Sequence, residues 1–315
     1  MDEGHVTDPV VAELVGLYER AQPRLAQLVD AGLRRGLDPE RLGTGDQRPG
    51  DATAGYRARQ QQQAAHILQD LRGRTRAGVP ALVGRVYSAS VLATDTFTGP
   101  TVVSGTFGGI HVGAVEVIAA NLTDRIVSAI DTTDRNIRAV FDRADRIERA
   151  GTLDVPSQII GRRVNDPYRN RALEEVGQGI VGGDTRRQVS AALAKSLVDN
   201  GVTDALTGFV DRSGRRWQLS TYTRMVARTT TREAVTVATR NRLVESGRDL
   251  VDISSHSHPA DECTPYDGQT FSLTGATPGY PILDEEPPFH PNCAHVMTPA
   301  GADADVWEAE LADLL

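Results

Sequence analysis

Apolar positions recur at helical spacing through most of the first 150 residues. Val11, Leu14, Leu17, Tyr18, Ala21, Leu25 and Leu28 fall three or four apart, which predicts an amphipathic helix over residues 8–37. Asp8-Pro9 supplies its start, a capping side chain followed by a proline at the first helical position, and Pro23 marks a place where it could kink. Residues 38–50 end in Gly43-Thr44-Gly45-Asp46-Gln47-Arg48-Pro49-Gly50 and read as loop. Helix resumes over about 51–76, with the glutamines at 60–63 as an exposed face, and a separate helix follows Pro80. A Gly/Pro-rich loop over 100–109 precedes a long helical region from 111 to about 149. There Val115, Ile118, Leu122, Ile126, Ile130, Ile137, Val140, Phe141 and Ile147 keep the period, with breaks expected near Thr132. His111, at the start of that region, reads as a capping or packing residue.

After a separator at 151–157, helices are expected near 168–178 and over 185–197. The pattern then changes. Residues 209–217 alternate around Ser213-Gly214 and predict a β-hairpin. Ser220-Thr221 caps a helix to about Ser246 that Gly247 closes, and Leu250-Val251-Asp252-Ile253 is a short strand. Beyond it the chain is rich in Pro, Gly and turn residues, so its order must come from packing and some cross-link. The fold expected is mainly α, with long N-terminal and central helices and a small α+β C-terminal module. That module has one β-hairpin and a loop-rich, Cys/His-containing end. Four regions follow: a helical N-terminal region 1–100, a helical central region 101–207, the module at 208–300 and an acidic tail at 301–315.

Composition narrows the class. Hydrophobic residues are 39% and charged residues 24% of 315, no window reaches the length of a membrane span, and the acidic start lacks an apolar secretory core. These features predict a soluble product of the cytosol. The formal charge is -8, unevenly spread: residues 251–315 hold twelve Asp or Glu and no Lys or Arg, whereas 206–248 hold nine Arg against three acids. Such an arginine-rich stretch suits phosphate contact, but in an acidic chain a solvated helix face is the simpler reading.

Candidate chemistry is confined to one stretch. Four of the seven histidines (His256, His258, His290, His295) and both cysteines (Cys263, Cys293) lie between 256 and 295. His290-x-x-Cys293 has the two-residue gap of a metal knuckle, and Cys263 with a nearby histidine could complete a four-coordinate N/S site for zinc. Metal bound only by the folded state would stabilise a module poor in aromatic core residues. Two alternatives stand beside zinc: a Cys263–Cys293 disulfide closing a loop of about 30 residues, or buried free thiols with hydrogen-bonded histidines.

The ordered set formed by residues 222–234, Asp249–His256, Cys263–Leu273 and Pro287-Pro288-Phe289-His290-Pro291-Asn292-Cys293 resembles phage minor capsid proteins of the MuF-like head morphogenesis group. Residues 106–111 and 209–217 resemble its type 2 minor capsid branch. The resemblance covers roughly 105–299. It implies a virion protein of the phage head, near the portal, made in the host cytoplasm, without a catalytic activity in its core. Its partners would be the portal protein and major capsid or scaffold protein, with sequence-independent DNA contact as a secondary expectation.

This chain departs from the group at one place. Members commonly carry Cys-x-x-Cys where this sequence has Ala260-Asp261-Glu262-Cys263. The expected ligand set is therefore Cys263, His290, Cys293 and, as substitute, His258, ahead of His256, Asp261 and His295. The competing function is a zinc- or thiol-dependent hydrolase riding in the virion, using Cys263 or Cys293 with His290 and Asp267. The absence of a nucleophile elbow, HExxH or Gly-rich phosphate loop speaks against it.

Overall fold

A computed structural model describes residues 6–36, 51–99, 105–150, 208–210, 216–257 and 259–315. The expected loop 38–50, the separator 151–157, the helices near 168–178 and 185–197, the hairpin turn and His258 lie outside the described residues. Three long helices come first: α1 (Asp8–Gly36), α2 (Asp51–Thr98) and α3 (Gly105–Ala150). A short hairpin follows, β1 (Gly208–Val210) with β2 (Arg216–Gln218), then α4 (Leu219–Glu245). The C-terminal part holds β3 (Leu250–Ile253), β4 (Thr270–Ser272), β5 (Met297–Pro299) and α5 (Ala304–Leu314). The mainly helical fold with a small Cys/His-containing sheet module is as the sequence predicts.

The chain divides into two compact units. One comprises residues 19–71 and 129–219. Within it α1 and α3 come so close that a Cβ on Gly32 would lie 2.4 Å from Phe141 Cε1, so only glycine fits there. The Arg57 side chain is buried and its Nε donates to the Gly32 carbonyl at 3.2 Å.

The other unit comprises residues 1–18, 72–128 and 220–315. Val11, Leu14, Val15 and Tyr18 of α1, Val79, Val83, Val86 and Tyr87 of α2, and Ile118, Leu122 and Ile126 of α3 are buried. The stripes read from sequence are thus covered by the chain itself. Helix α2 does not divide at Pro80. It runs through, because Leu71, Thr75, Val79, Leu82, Val83 and Val86 hold one buried stripe in phase while Pro80 faces solvent. That burial outweighs the ~3 kcal/mol that an interior proline costs a helix. Helix α3 begins at Gly105, ahead of the expected start, and continues past Thr132. His111 is therefore not a cap. Its Nδ1 meets Tyr87 Oη at 2.8 Å and its Nε2 meets Glu245 Oε2 at 3.4 Å, while Asn241 Nδ2 donates to Tyr87 Oη at 2.9 Å.

Helix α4 carries three consecutive threonines, poor helix formers, and the first and third bond their hydroxyls back along the helix. Thr229 Oγ1 donates to Met225 O at 2.9 Å and Thr231 Oγ1 to Ala227 O at 2.9 Å. Gly247, with φ of 72°, ends the helix in a Schellman arrangement: Gly247 N–H donates to Val244 O and Arg248 N–H to Leu243 O. The hairpin pairs Phe209 with Trp217, as expected. β3 lies between β4 and β5 in an antiparallel sheet, pairing Val251 with Phe271 and Asp252 with Thr298. Leu243, Val251, Ile253, Phe271, Leu283 and Met297 form its core.

Asp249 organises the loop after β4. Its carboxylate accepts from the hydroxyls of Ser272, Thr274 and Thr277 and from the backbone N–H groups of Thr274 and Thr277. Those hydroxyls hold its carboxyl well below the usual carboxylate range. A depressed folded pKa contributes stability that is present above the unfolded value of about 4 and is lost only as pH falls well below it. Asp249→Asn should therefore open the 272–277 loop to limited proteolysis at pH 7, and the difference from the unsubstituted protein should shrink in strong acid.

The expected acidic tail is a helix docked by two residues one turn apart. Trp307 and Leu311 are both fully buried, and Asp303 caps α5 by accepting from Asp305 N and Val306 N at 2.9 and 3.2 Å. Asp303→Ala should cost about 1 kcal/mol in urea unfolding, the usual loss for an N-cap.

Candidate metal centre

Two turns bring the cysteines together. The first follows β3: Cys263 N–H donates to Ala260 O at 2.9 Å, and the Tyr266 and Asp267 N–H groups donate to Cys263 O at 2.9 and 3.1 Å. One turn thus presents Cys263 and sets Asp267. Gly268 leaves it with φ of 66°, its Cβ position 3.3 Å from Ser255 Cβ. The second turn is the predicted knuckle. Cys293 N–H donates to His290 O at 3.0 Å, and Asn292 takes the left-handed conformation with φ of 61°. Asparagine tolerates that region better than most residues. Phe289 stacks on Tyr266 with centroids 4.3 Å apart, joining the two turns. From behind, Arg232 of α4 donates through Nη1 to Ala294 O at 2.7 Å and to His295 O at 3.3 Å.

Cys263 Sγ, a ring nitrogen of His290 and Cys293 Sγ lie within 4.8 Å of one another. Both thiols are free and buried, with sulfurs 3.8 Å apart. A disulfide would need ~2.0 Å, so that alternative is not the one the structure takes. Two thiolates bound at ~2.3 Å to a tetrahedral zinc stand ~3.8 Å apart, so the sulfur spacing fits a metal pair. His290 Nδ1 meets Pro291 O at 2.9 Å. A carbonyl only accepts, so Nδ1 carries the proton and Nε2 keeps its lone pair for a ligand. Three of the four residues expected to hold a metal are thus brought together.

The remaining histidines pair otherwise. His256 Nε2 lies 3.2 Å from Ser254 Oγ, and its ring sits edge-on to His295. His295 is buried, with Nδ1 3.6 Å from Cys293 Sγ and Nε2 2.8 Å from Asp267 Oδ1. Asp267 also accepts from His256 N–H at 2.8 Å and Ser255 Oγ at 2.9 Å. The hydrolase reading would pair Asp267 with His290, whereas Asp267 bonds His295. Burial alone would push the Cys293 thiol up, but hydrogen bonds from the His295 ring and from backbone bring it down to about 7. Burial, then the charge of Cys293, pushes Cys263 up. Burial depresses His295, and the bonds to Cys293 and Asp267 raise it above its ordinary value.

Among the described residues, four arginines of the basic stretch are held in ion pairs within the chain, while Arg224 and Arg248 are exposed. Arg228 forks onto Asp8 at 2.7 and 2.5 Å, Arg240 binds Glu286 at 3.1 Å, and Arg242 binds Asp95 and Glu245 at 2.5 Å each. Arg232 is 3.5 Å from Glu308 of α5. Acids of the 251–315 block thus neutralise part of the basic block, as the charge asymmetry suggested.

Among the described residues no helix is long and apolar enough to cross a membrane. No curated protein and no solved structure matches the chain significantly. Residues 149–300, a little under half of the chain, match the family model described as phage minor capsid protein 2. The matched span includes α4, the three-stranded sheet and both turns that carry Cys263, His290 and Cys293. The match supports a phage minor capsid protein with a structural role in the phage head.

Proposed function

We propose that this chain is a non-catalytic minor capsid protein of the MuF-like group, bound at the portal of a tailed-phage head, whose C-terminal module is held together by one zinc ion. The family match carries the head assignment. The burial of the cysteine pair supports a structural metal: Cys263 is 0% and Cys293 1% exposed, whereas a catalytic zinc keeps a position open to substrate. When bound, zinc would supply a cross-link between the Cys263 turn and the His290–Cys293 knuckle. The competing hydrolase reading draws on the Cys293–His295–Asp267 chain of contacts. It needs a nucleophile that substrate can reach, and neither Cys293 nor His295 is exposed above 3%.

Partner contact has a place on α3. Most apolar stripes are covered internally, but Ile110 and Val117, one heptad apart, are 45% and 60% exposed, and Val112 is 59% exposed. Co-expression with the portal protein of the same phage should give a complex stable to gel filtration, weakened by Ile110→Glu with Val117→Glu. Failure to co-purify with portal, scaffold or capsid protein would contradict the head-assembly reading. Duplex DNA contact stays secondary, because the ion pairs described above occupy several arginines. Binding should be weak, without sequence preference, and lost steeply between 50 and ~200 mM salt. Tight, salt-resistant binding in a filter assay would contradict this.

A further inference from the structure

Among the described residues the cluster supplies three ligands, one short of a tetrahedral set. Ala260 stands where a cysteine would make a Cys-x-x-Cys pair with Cys263, and its methyl group binds no metal. The turn itself is intact, since Ala260 O still accepts from the N–H groups of Cys263 and Thr264 at 2.9 and 3.1 Å. A buried structural zinc site is closed by four ligands, so another side chain is required.

We propose that His295 closes the site through Nδ1 and that Asp267 holds its ring in place. This rests on the reading that the cluster binds zinc. Residues 293–296 form neither helix nor turn and lead directly into β5, and side chains two apart on such a run share a face where it is extended. Cys293 and His295 therefore project together, and Nδ1 lies 3.6 Å from Cys293 Sγ. Bonds of ~2.3 Å to sulfur and ~2.0–2.1 Å to nitrogen at a tetrahedral angle put those atoms ~3.6 Å apart. The far side of the ring is fixed as well. Nε2 meets Asp267 Oδ1 at 2.8 Å, and Asp267 is itself held by His256 N–H and Ser255 Oγ. A carboxylate accepting from the second nitrogen is the arrangement that fixes the tautomer of metal-bound histidines. With Nε2 protonated toward Asp267, Nδ1 is the nitrogen that can give up the proton it shares with Cys293 and offer a lone pair to the metal. Of the other candidates, His258 lies outside the described residues, Asp261 is exposed and the His256 Nε2 faces Ser254 Oγ. His295 Nδ1 stands beside Cys293 but outside the 4.8 Å spacing that joins Cys263, His290 and Cys293, so the ring has to move toward the other two ligands as metal binds. The set is then Cys263 with His290-x-x-Cys293-x-His295.

The test uses full-length protein stripped of metal and titrated with zinc and cobalt(II). In ¹⁵N-labelled wild type, zinc should shift His295 Nδ1 to the range of a bound imidazole nitrogen while Nε2 stays protonated. Cobalt(II) should give a tetrahedral visible spectrum. His295→Gln should weaken metal binding at least ~100-fold and alter that spectrum, and Asp267→Asn should weaken it ~10–100-fold with the spectrum retained. A wild type that takes up zinc with no change at His295 Nδ1 overturns this assignment and leaves the metal reading standing. A His295→Gln protein of unchanged affinity and spectrum does the same. A wild type that takes up neither metal overturns both.

Discussion

Cys293→Ser will abolish stoichiometric zinc binding and unfold the C-terminal module. Wild-type protein prepared without chelator should carry about one zinc per chain, as a single tetrahedral site requires. Structural zinc in small modules contributes ~10–16 kcal/mol of apparent binding free energy at neutral pH, far more than any single packing contact. The module here has a core of six buried apolar residues and three strands of three or four residues. Beside the metal, only the Phe289–Tyr266 stack and the Asp267–His295 bond are seen to join the Cys263 turn to the knuckle. Chelation of wild type should reproduce the effect of the substitution, seen as loss of the cooperative transition in thermal unfolding and rapid proteolysis within 254–296. Cys263→Ser should behave alike. Protein that is metal-free as isolated, with both thiols free and the module resistant to protease, would remove zinc from the account. A Cys263–Cys293 linked peptide would replace it with a disulfide.

The second large effect is expected at Arg232. Its side chain is 4% exposed and lies between α4, the knuckle and α5, donating to Ala294 O and His295 O and facing Glu308. Burial lowers its pKa to about 10, still charged at neutral pH, with Glu308 opposing the shift. Arg232→Ala leaves buried carbonyls and a carboxylate without their donor, and breaking such a buried charged contact costs ~3–5 kcal/mol. Arg232→Met keeps much of the volume and should cost less than Arg232→Ala. Urea unfolding of the two variants measures the difference. A loss below about 1 kcal/mol for Arg232→Ala would mean that α4 does not buttress the knuckle.

The helices were legible where one local pattern decides the outcome. The stripe in α1, the Gly247 stop and the Phe209–Trp217 hairpin all rest on neighbours within a few positions. At Pro80 local chemistry argued for a break, and a buried stripe extending on both sides overrode it. Strands β4 and β5 have three residues each, too short for alternation to register. In α5 the acidic composition hid Trp307 and Leu311, whose i, i+4 spacing and preceding Asp303 were signal enough. The long-range arginine pairings were out of reach, because Asp8 and Arg228 are 220 positions apart and nothing local links them, whereas Arg242–Glu245 is an i,i+3 pair within one helix. At the candidate centre, spacing singled out His290-x-x-Cys293 and Cys263. The bond between His295 and Asp267 depends on two turns folding onto each other, which no linear motif encodes. A clue lay in the two-residue step from Cys293 to His295, which puts both side chains on one face of an extended chain.

Quantitative mass spectrometry of purified virions decides whether this chain is a structural part of the phage head. Intact particles should hold the protein at a few copies per major capsid shell, retained through density-gradient purification. Its absence from virions of a phage that expresses it during infection would contradict that role.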